Sequence, residues 1–351
     1  AGDRRPGARA RVALAPARSR HHGPVAADPL EQLAGVYTRF AAQEAHGRSP
    51  LYEELARGVA ADREILGVLA ELPEPKQQPN LLLAAVRHVC GTPAGWGQCR
   101  AWLNERRDEV LAVVLARRTQ TNEPARCATL VPLLATLPPP LALLEVGAAA
   151  GLCLLPDRYA YDYDGHLVPP SRPVAATTPT FTCRASASTP LPARGLDIAW
   201  RAGLELEPVD VRDPEQTAWL EALVWPGEGD RLELLRAAID VARADPPPLT
   251  RGDLRHDLPA LAAQAPRDAT LVVFHTAVLA YLPDPAERAG FARTVGALDA
   301  VWVANEAPGL VDGAERPGHP WPTGFDAFLL TCDRQPVAWT DPHGTRIDWL
   351  S

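Results

Sequence analysis

Leu141-Ala-Leu-Leu-Glu-Val-Gly-Ala-Ala-Ala-Gly-Leu152 is the stretch that decides the fold of this chain. It begins as an apolar run that ends in an acid, and it continues as a loop of small residues into the predicted start of a helix. A buried strand that leads into a Gly-rich turn and a helix N-terminus is how α/β proteins hold a nucleotide-like ligand. The spacing excludes the dinucleotide pattern G-x-G-x-x-G, because Ala149 and Leu152 stand where its second and third glycines would be.

The composition is that of a globular chain with a substantial core. The chain has 351 residues, 46% of them hydrophobic, and a formal net charge of −8 at pH 7. This charge argues against a nucleic-acid partner. No apolar run approaches the roughly 18 residues of a membrane span, which argues against a membrane partner. Cysteines without a C-x-x-C pair predict reduced thiols in a cytoplasm and no metal site: Cys90, Cys99, Cys127, Cys153, Cys183 and Cys332.

Three regions of the chain differ in their patterning. Residues 1–28 are rich in Arg, Ala, Pro and Gly, which predicts a disordered basic arm, although a transit peptide has a similar composition. Residues 29–138 place apolar side chains at helical spacing and predict an α-helical N-terminal domain, with helices at 81–90, 98–118 and 123–137 among others. Pro138-Pro-Pro140 marks the border with a second domain, residues 139–351.

Strand and helix signals alternate in the second domain, which is typical of a parallel α/β sheet. Strands are predicted at 141–146, 201–208, 249–253, 270–274 and 300–304, helices at 217–223 and 230–242, and a terminal antiparallel hairpin from 328–332 and 347–350. An insertion at about 157–200 alternates Tyr159, Tyr161 and Tyr163 before Asp164-Gly165, which predicts a small β-ribbon. The insertion is either a surface excursion or a substrate-selecting flap over the carboxyl edge of the sheet.

The small-residue loop has the pattern Glu-x-Gly-x-Ala-x-Gly, which resembles the first motif of methyltransferases that use S-adenosylmethionine (SAM). After residue 28 nearly the whole chain resembles the uncharacterised bacterial family catalogued as domain of unknown function 2332. The segments that carry the resemblance are Gln120-Thr-Asn-Glu-Pro-Ala-Arg-Cys127, Leu144-Glu-Val-Gly-Ala-Ala-Ala-Gly-Leu152, Asp157-Arg-Tyr-Ala-Tyr161, Pro208-Val-Asp-Val-Arg-Asp-Pro214, Trp219-Leu-Glu-Ala-Leu-Val-Trp-Pro226 and Val272-Val-Phe-His-Thr-Ala-Val-Leu-Ala-Tyr281.

This resemblance implies a Rossmann-like, class I methyltransferase-type sheet, mostly parallel with an antiparallel C-terminal hairpin, and SAM as the cofactor. Its usual pattern has Ser and Asn at two positions of the loop where this chain has Ala149 and Cys153. Two polar groups are therefore missing from the loop.

Acids and small residues at the carboxyl ends of the predicted strands are the candidate cofactor ligands. They are Glu145, Gly147, Ala149, Gly151, Glu205, Asp210 and Asp253. In methyltransferase-like sites the acid matching Glu145 faces the amino group of the methionine moiety, and a buried acid is costly without such a partner. Either Glu205 or Asp210 would accept hydrogen bonds from ribose hydroxyls, the alternative for both being a solvated turn residue. Asp253 would lie near the adenine, or else cap a helix.

His275 and Glu306 follow the fourth and fifth predicted strands and are the candidate catalytic residues. Methyl transfer to a hydroxyl or amine needs a base to take the proton, and a histidine suits this task near neutral pH. The alternative for His275 is a structural histidine hydrogen-bonded to the backbone. The candidate pocket residues are Asn122, Glu123, Arg126 and Tyr161, although the spacing of the first three also fits a local ion pair.

Other chemistries lack their sequence signatures. The chain has no G-x-S-x-G nucleophile elbow, no P-loop pattern and no histidines at metal-ligand spacing. Two hypotheses follow. One is a SAM-dependent methyltransferase that acts on a small molecule, and the other is a non-catalytic SAM- or nucleotide-binding or regulatory protein that keeps the same fold.

Overall fold

A computed structural model describes residues 28–120, 122–172, 178–314 and 327–350. The predicted disordered arm lies outside the described residues except for Asp28, whose side chain accepts a hydrogen bond from the Leu30 amide and caps the first helix.

The N-terminal part is helical, as predicted. Its α-helices are α1 (Pro29–Arg39), α2 (Pro50–Ala61), α3 (Arg63–Ala70), α4 (Pro79–Cys90), α5 (Trp96–Glu105), α6 (Arg107–Ala116) and α7 (Cys127–Leu134). The single helix predicted at 98–118 was wrong, because Arg106 leaves helical geometry with φ −120° and separates α5 from α6. The helices from α1 to α6 share one apolar core, whereas α7 packs against the sheet that follows.

The described C-terminal part is built on a large, mostly parallel sheet. Its strands are β1 (Leu141–Val146), β5 (Arg184–Ala185), β6 (Ile198–Glu205), β7 (Leu249–Arg251), β8 (Thr270–Thr276), β9 (Val301–Glu306), β10 (Phe328–Cys332), β11 (Gln335–Thr340) and β12 (Arg346–Trp349), and a separate small sheet holds β2 (Ala160–Tyr163), β3 (His166–Val168) and β4 (Thr180–Thr182). The remaining helices are α8 (Pro214–Leu223), α9 (Gly229–Ala244), α10 (Leu258–Ala262) and α11 (Pro285–Gly296).

The strand order β5-β12-β11-β10-β9-β8-β1-β6-β7 creates a switch point at β1. From β1 the chain proceeds through β6 to β7 on one side, then crosses over to β8 and β9 on the other, and all five strands are parallel. Ligands of open α/β sheets bind outside the carboxyl ends of the strands at such a point. The last three strands are antiparallel, as predicted for the terminus, but the central one, β11, was not anticipated.

The segment after β1 differs from the prediction. The small-residue loop leads into a single 3-10 turn, Leu152–Leu154, and not into a helix. Pro156 disfavours helical geometry at the residue before it, and the four residues 152–155 are all buried, which leaves no polar face for a surface helix. The loop therefore does not lead directly into the N-terminus of an α-helix.

The insertion forms the predicted ribbon. Strands β2 and β3 are antiparallel around Asp164 and Gly165, both at positive φ, and β4 adds to β2 in parallel. The Tyr161 hydroxyl, however, donates to the Pro156 carbonyl at 2.7 Å, and its ring is buried in the core beside α7. The expectation that Tyr161 lines a pocket is corrected accordingly, because its polar end is satisfied internally and its ring packs in the core.

Candidate functional site

The loop between β1 and the 3-10 turn has a backbone that depends on small residues. Gly147, Ala149 and Gly151 lie at φ 70°, 50° and 71°, in the left-handed region. A Cβ atom on Gly147 would come within 2.5 Å of the Val278 side chain, and one on Gly151 within 2.6 Å of Pro247. These two glycines are therefore required both by their conformation and by the close approach of neighbouring segments.

Two predicted residues converge on the amides of this loop. Glu205, at the end of β6, accepts a hydrogen bond from the Ala149 amide at 2.8 Å, and Asn122 Oδ1 accepts one from the Ala150 amide at 2.7 Å. Gln120 Nε2 also approaches the Glu205 carboxylate at 3.4 Å. The structure thus brings Asn122 and Glu205 to the loop from distant parts of the chain.

Glu145 lies under the loop and has an incomplete set of partners. Its side chain is 4% exposed, and its Oε2 atom has no hydrogen-bond partner among the described residues. Burial, reinforced by nearby Cys153 and Glu205, raises the pKa of Glu145 well above its usual value, with Arg126 acting in the opposite direction. This shift favours the neutral acid over the carboxylate, and a bound cation nearby would favour the carboxylate instead.

Two other predicted cofactor residues are paired elsewhere. Asp210 binds the Arg212 guanidinium at 2.9 and 3.0 Å, and Asp253 binds Arg255 in the same manner. These pairs lower the pKa of both aspartates, chiefly through the arginine hydrogen bonds. The structure favours the turn-residue alternative for Asp210. It corrects the helix-cap alternative for Asp253, because the N-cap position of α10 is held by Asp257.

His275 and Glu306 meet, but on the opposite face of the sheet from Glu145. Glu145 is in register with Phe274 of β8, so the next residue, His275, points to the other side. The His275 ring is fully buried, its Nδ1 lies 2.7 Å from Glu306 Oε1, and its Nε2 accepts the indole N–H of Trp302 at 3.0 Å. Because an indole nitrogen can only donate, Nδ1 must carry the proton and donate it to Glu306.

This geometry corrects the expected roles of the pair. Neither nitrogen of His275 has a lone pair left for a substrate, so the ring cannot serve as the base in this arrangement. Glu306 Oε1 also accepts the amides of Val278 and Leu279, at 2.8 and 3.3 Å. The pair therefore positions the turn that places Val278 over Gly147.

Arg126 and Glu123 also lie in the buried part of the site. Arg126 donates to the Thr276 carbonyl and hydroxyl, both at 3.2 Å, and to the Pro342 carbonyl at 2.8 Å. Glu123 accepts from Arg231 Nε at 2.5 Å. Although burial opposes it, the Arg231 charge, aided by a neighbouring histidine, lowers the pKa of Glu123 to about 2. The anticipated local ion pair is replaced by these longer-range bonds.

A polar cavity of about 190 Å³ lies next to the loop, where the N-terminal helices meet the sheet. Asn122, already bound to the loop amide, is part of its wall. Four further charged or titratable wall residues were missed by the sequence analysis, namely Glu44, Arg48, Arg231 and His343. The first three lie in sequence without a recognisable motif, and His343 lies in the turn Asp341-Pro-His-Gly344, between the two segments predicted to form the terminal hairpin.

The close approach of that turn brings His343 to the cavity. Gly344 has φ 81°, and a Cβ atom there would lie 2.1 Å from the Ala125 carbonyl oxygen. His343 Nε2 accepts from Arg48 Nη2 at 3.0 Å, and its Nδ1 lies 3.5 Å from Glu123. The terminal strands thereby close the cavity against the segment that precedes α7.

Within the described ranges, no group of three or more His, Cys, Asp or Glu side chains could hold a metal ion. The helices of that same part of the chain are too short or too polar to cross a membrane.

Comparison with known proteins gives one match. A family model described as an uncharacterized protein conserved in bacteria (DUF2332) matches residues 34–349. Neither a curated protein nor a solved structure matches the chain.

Proposed function

The chain belongs to the DUF2332 family, and from this premise and the geometry of the loop we propose that it is a SAM-dependent methyltransferase acting on a small molecule. The fold proposed with it is the Rossmann-like, class I methyltransferase type. The strand order β7-β6-β1-β8-β9, followed by the antiparallel β10, supports this assignment. The observation that carries the proposal is the convergence of Glu205 and Asn122 on the amides of Ala149 and Ala150 at the switch point.

The residues present fit an adenosyl-type ligand with an amino acid moiety. Glu145 offers a buried carboxyl oxygen without a partner, which suits the ammonium group. Glu205 accepts the amides of Ala149 and Glu207 at 2.8 and 3.1 Å, and displacement of the longer 3.4 Å contact from Gln120 would leave its carboxylate a lone pair for the ribose hydroxyls. When bound, SAM supplies an electrophilic methyl group on a sulfonium.

The protein's own groups then have defined tasks. The left-handed loop residues hold the backbone close to the ligand, and the His275–Glu306 pair fixes the turn above Gly147. The cavity beside Asn122 holds the methyl acceptor, because it adjoins the loop. Such positioning of two reactants is itself a major source of rate enhancement.

Isothermal titration with SAM and with S-adenosylhomocysteine tests the proposal. We expect saturable binding to the wild type and a loss of at least about tenfold in affinity for Glu205→Gln, because the loss of charge weakens hydrogen bonds to the ribose. Glu207→Gln is the matched control, since this acid lies two residues away with its side chain half-exposed at the surface. Absence of binding at millimolar SAM would refute the proposal.

The alternative is a non-catalytic SAM- or nucleotide-binding or regulatory protein with the same fold. Its specific support is that both His275 nitrogens are occupied and that Ala149 and Cys153 add no polar side chain to the loop. Mass spectrometry of small molecules incubated with protein and SAM distinguishes the two. A methylated product supports the enzyme, whereas SAM binding without product from a broad acceptor mixture supports the alternative.

A further inference from the structure

The cavity beside the loop has an unusual arrangement of charge. Glu228 bridges two arginines, with Oε1 accepting from Arg48 Nη2 at 2.9 Å and Oε2 from Arg231 Nη1 at 2.7 Å. Arg231 also binds Glu123 through Nε. Both Glu228 oxygens and the Glu123 Oε2 atom facing Arg231 are thus already engaged with guanidinium groups.

The two arginines, in contrast, keep donors to spare. In the described residues, Arg231 uses Nε and Nη1 but not Nη2, and Arg48 uses only Nη2. The Arg48 guanidinium lies over the Trp225 ring at 4.5 Å, an arrangement that leaves its edge available for in-plane hydrogen bonds. Paired guanidinium edges of this kind recognise carboxylates.

The total charge of the cavity limits what that carboxylate can belong to. Arg48 and Arg231 are opposed by Glu123, Glu228 and Glu44, the last of which also lines the cavity. There is no excess of positive charge for a phosphate dianion. A molecule that carries both a carboxylate and an ammonium adds no net charge, and it can place the carboxylate on the spare arginine donors and the ammonium near Glu44.

The size and the remaining walls agree with a small molecule. A volume of about 190 Å³ is below the roughly 300–1,000 Å³ typical of sites for drug-sized ligands. The remaining lining combines the side-chain amides of Asn80, Gln120 and Asn122 with the Trp225 ring and apolar residues that include Leu220 and Leu235.

We propose that this cavity binds a small zwitterionic amino acid, with its carboxylate on Arg48 and Arg231 and its ammonium toward Glu44, the acid among Glu44, Glu123 and Glu228 that lines the cavity. The further assignment of this amino acid as the methyl acceptor rests on the proposed function. Binding to the cavity can be tested without SAM, so the failure of the binding site is distinguishable from the failure of the proposed function.

The experiment measures binding of four probes to the full chain: serine, lactate, ethanolamine and inorganic phosphate. Isothermal titration is paired with the ¹⁵N–¹H spectrum of protein labelled at tryptophan, in which Trp225→Phe identifies the Trp225 indole signal. We expect serine to bind most tightly and to shift the Trp225 signal, while that of Trp302, buried against His275, stays in place.

Substitution of Arg48 tests the carboxylate contact. Arg48→Gln should weaken serine binding by about tenfold or more, as expected for loss of a charge-assisted hydrogen bond. The matched control is Arg57→Gln on α2, whose arginine pairs only with Glu53 at the surface. If Arg48→Gln fails to fold, the wild-type probe ranking and the Trp225 shift still decide the matter.

Several results would overturn the inference. Phosphate or ethanolamine binding as tightly as serine contradicts the zwitterion, and lactate binding equally well removes the need for the ammonium. Serine that leaves the Trp225 signal unchanged, or that does not bind at millimolar concentration, excludes the site. Binding of serine without binding of SAM would support the cavity assignment and contradict the methyltransferase proposal.

Discussion

The approach of Gly344 to Ala125 predicts a large destabilisation on Gly344→Ala. At φ 81° an alanine pays about 1–2 kcal/mol for the left-handed conformation. Its Cβ would also lie 2.1 Å from the Ala125 carbonyl oxygen, a distance that real Cβ atoms do not adopt. Because this carbonyl oxygen belongs to the backbone and cannot rotate away, the turn must shift, at a further cost of about 1–3 kcal/mol.

The same substitution at Gly47 isolates the contact from the backbone strain. Gly47 has a similar φ of 75°, but nothing lies within 4 Å of its Cβ position. We therefore expect Gly47→Ala to cost only the conformational term, about 1–2 kcal/mol. The difference between the two variants should be about 1–3 kcal/mol, which is the cost of the close approach.

Urea unfolding monitored by tryptophan fluorescence provides the measurement. The midpoints of the two variants, taken at a common slope, give the difference in the free energy of unfolding. Equal destabilisation of Gly344→Ala and Gly47→Ala would refute the reasoning, since it would mean that the terminal hairpin does not press against the segment before α7.

Three further predictions concern two buried acids and the buried His275, and urea unfolding measures each of them. Because its pKa is raised, Glu145 stays protonated in the folded protein at pH values where the unfolded chain ionises, that is, above about pH 4.3. Glu145→Gln should therefore gain stability relative to the wild type as the pH rises from 4 to 7. A difference in stability that does not change with pH would contradict this. Glu123, with its pKa lowered to about 2, stabilises the fold above about pH 4.3 and loses that contribution as the pH falls toward 2. The full contribution to the free energy of unfolding is about 3 kcal/mol. Glu123→Gln should lack this pH dependence. Trp302→Phe leaves the buried His275 Nε2 without its donor and should cost at least about 1–3 kcal/mol, whereas an unchanged midpoint would show that the ring is not held as described.

Local patterns were sufficient for much of the fold. The apolar run before Gly147 and the alternation in the insertion predicted β1 and the ribbon, because a strand and its turn are specified by residues a few positions apart. The helix expected after the loop does not form, and the reason is equally local. Pro156 disfavours helical geometry at the residue before it, so the segment forms only a 3-10 turn.

The candidate site likewise has features that local sequence determines and features that depend on long-range contacts. The sequence by itself identified the small-residue loop with Gly147 and Gly151, and it left Glu205 and Asp210 as alternative acids for the ribose hydroxyls. Only the pairing of β1 with β6 decided that Glu205 binds the Ala149 amide. Only the tertiary structure decided that His275 lies on the opposite face from Glu145, since a shift of one residue in the pairing of β1 with β8 would reverse it. Likewise, Arg48, Arg231 and His343 meet only because distant segments pack together, and no spacing along the chain records a contact between residues 48 and 343.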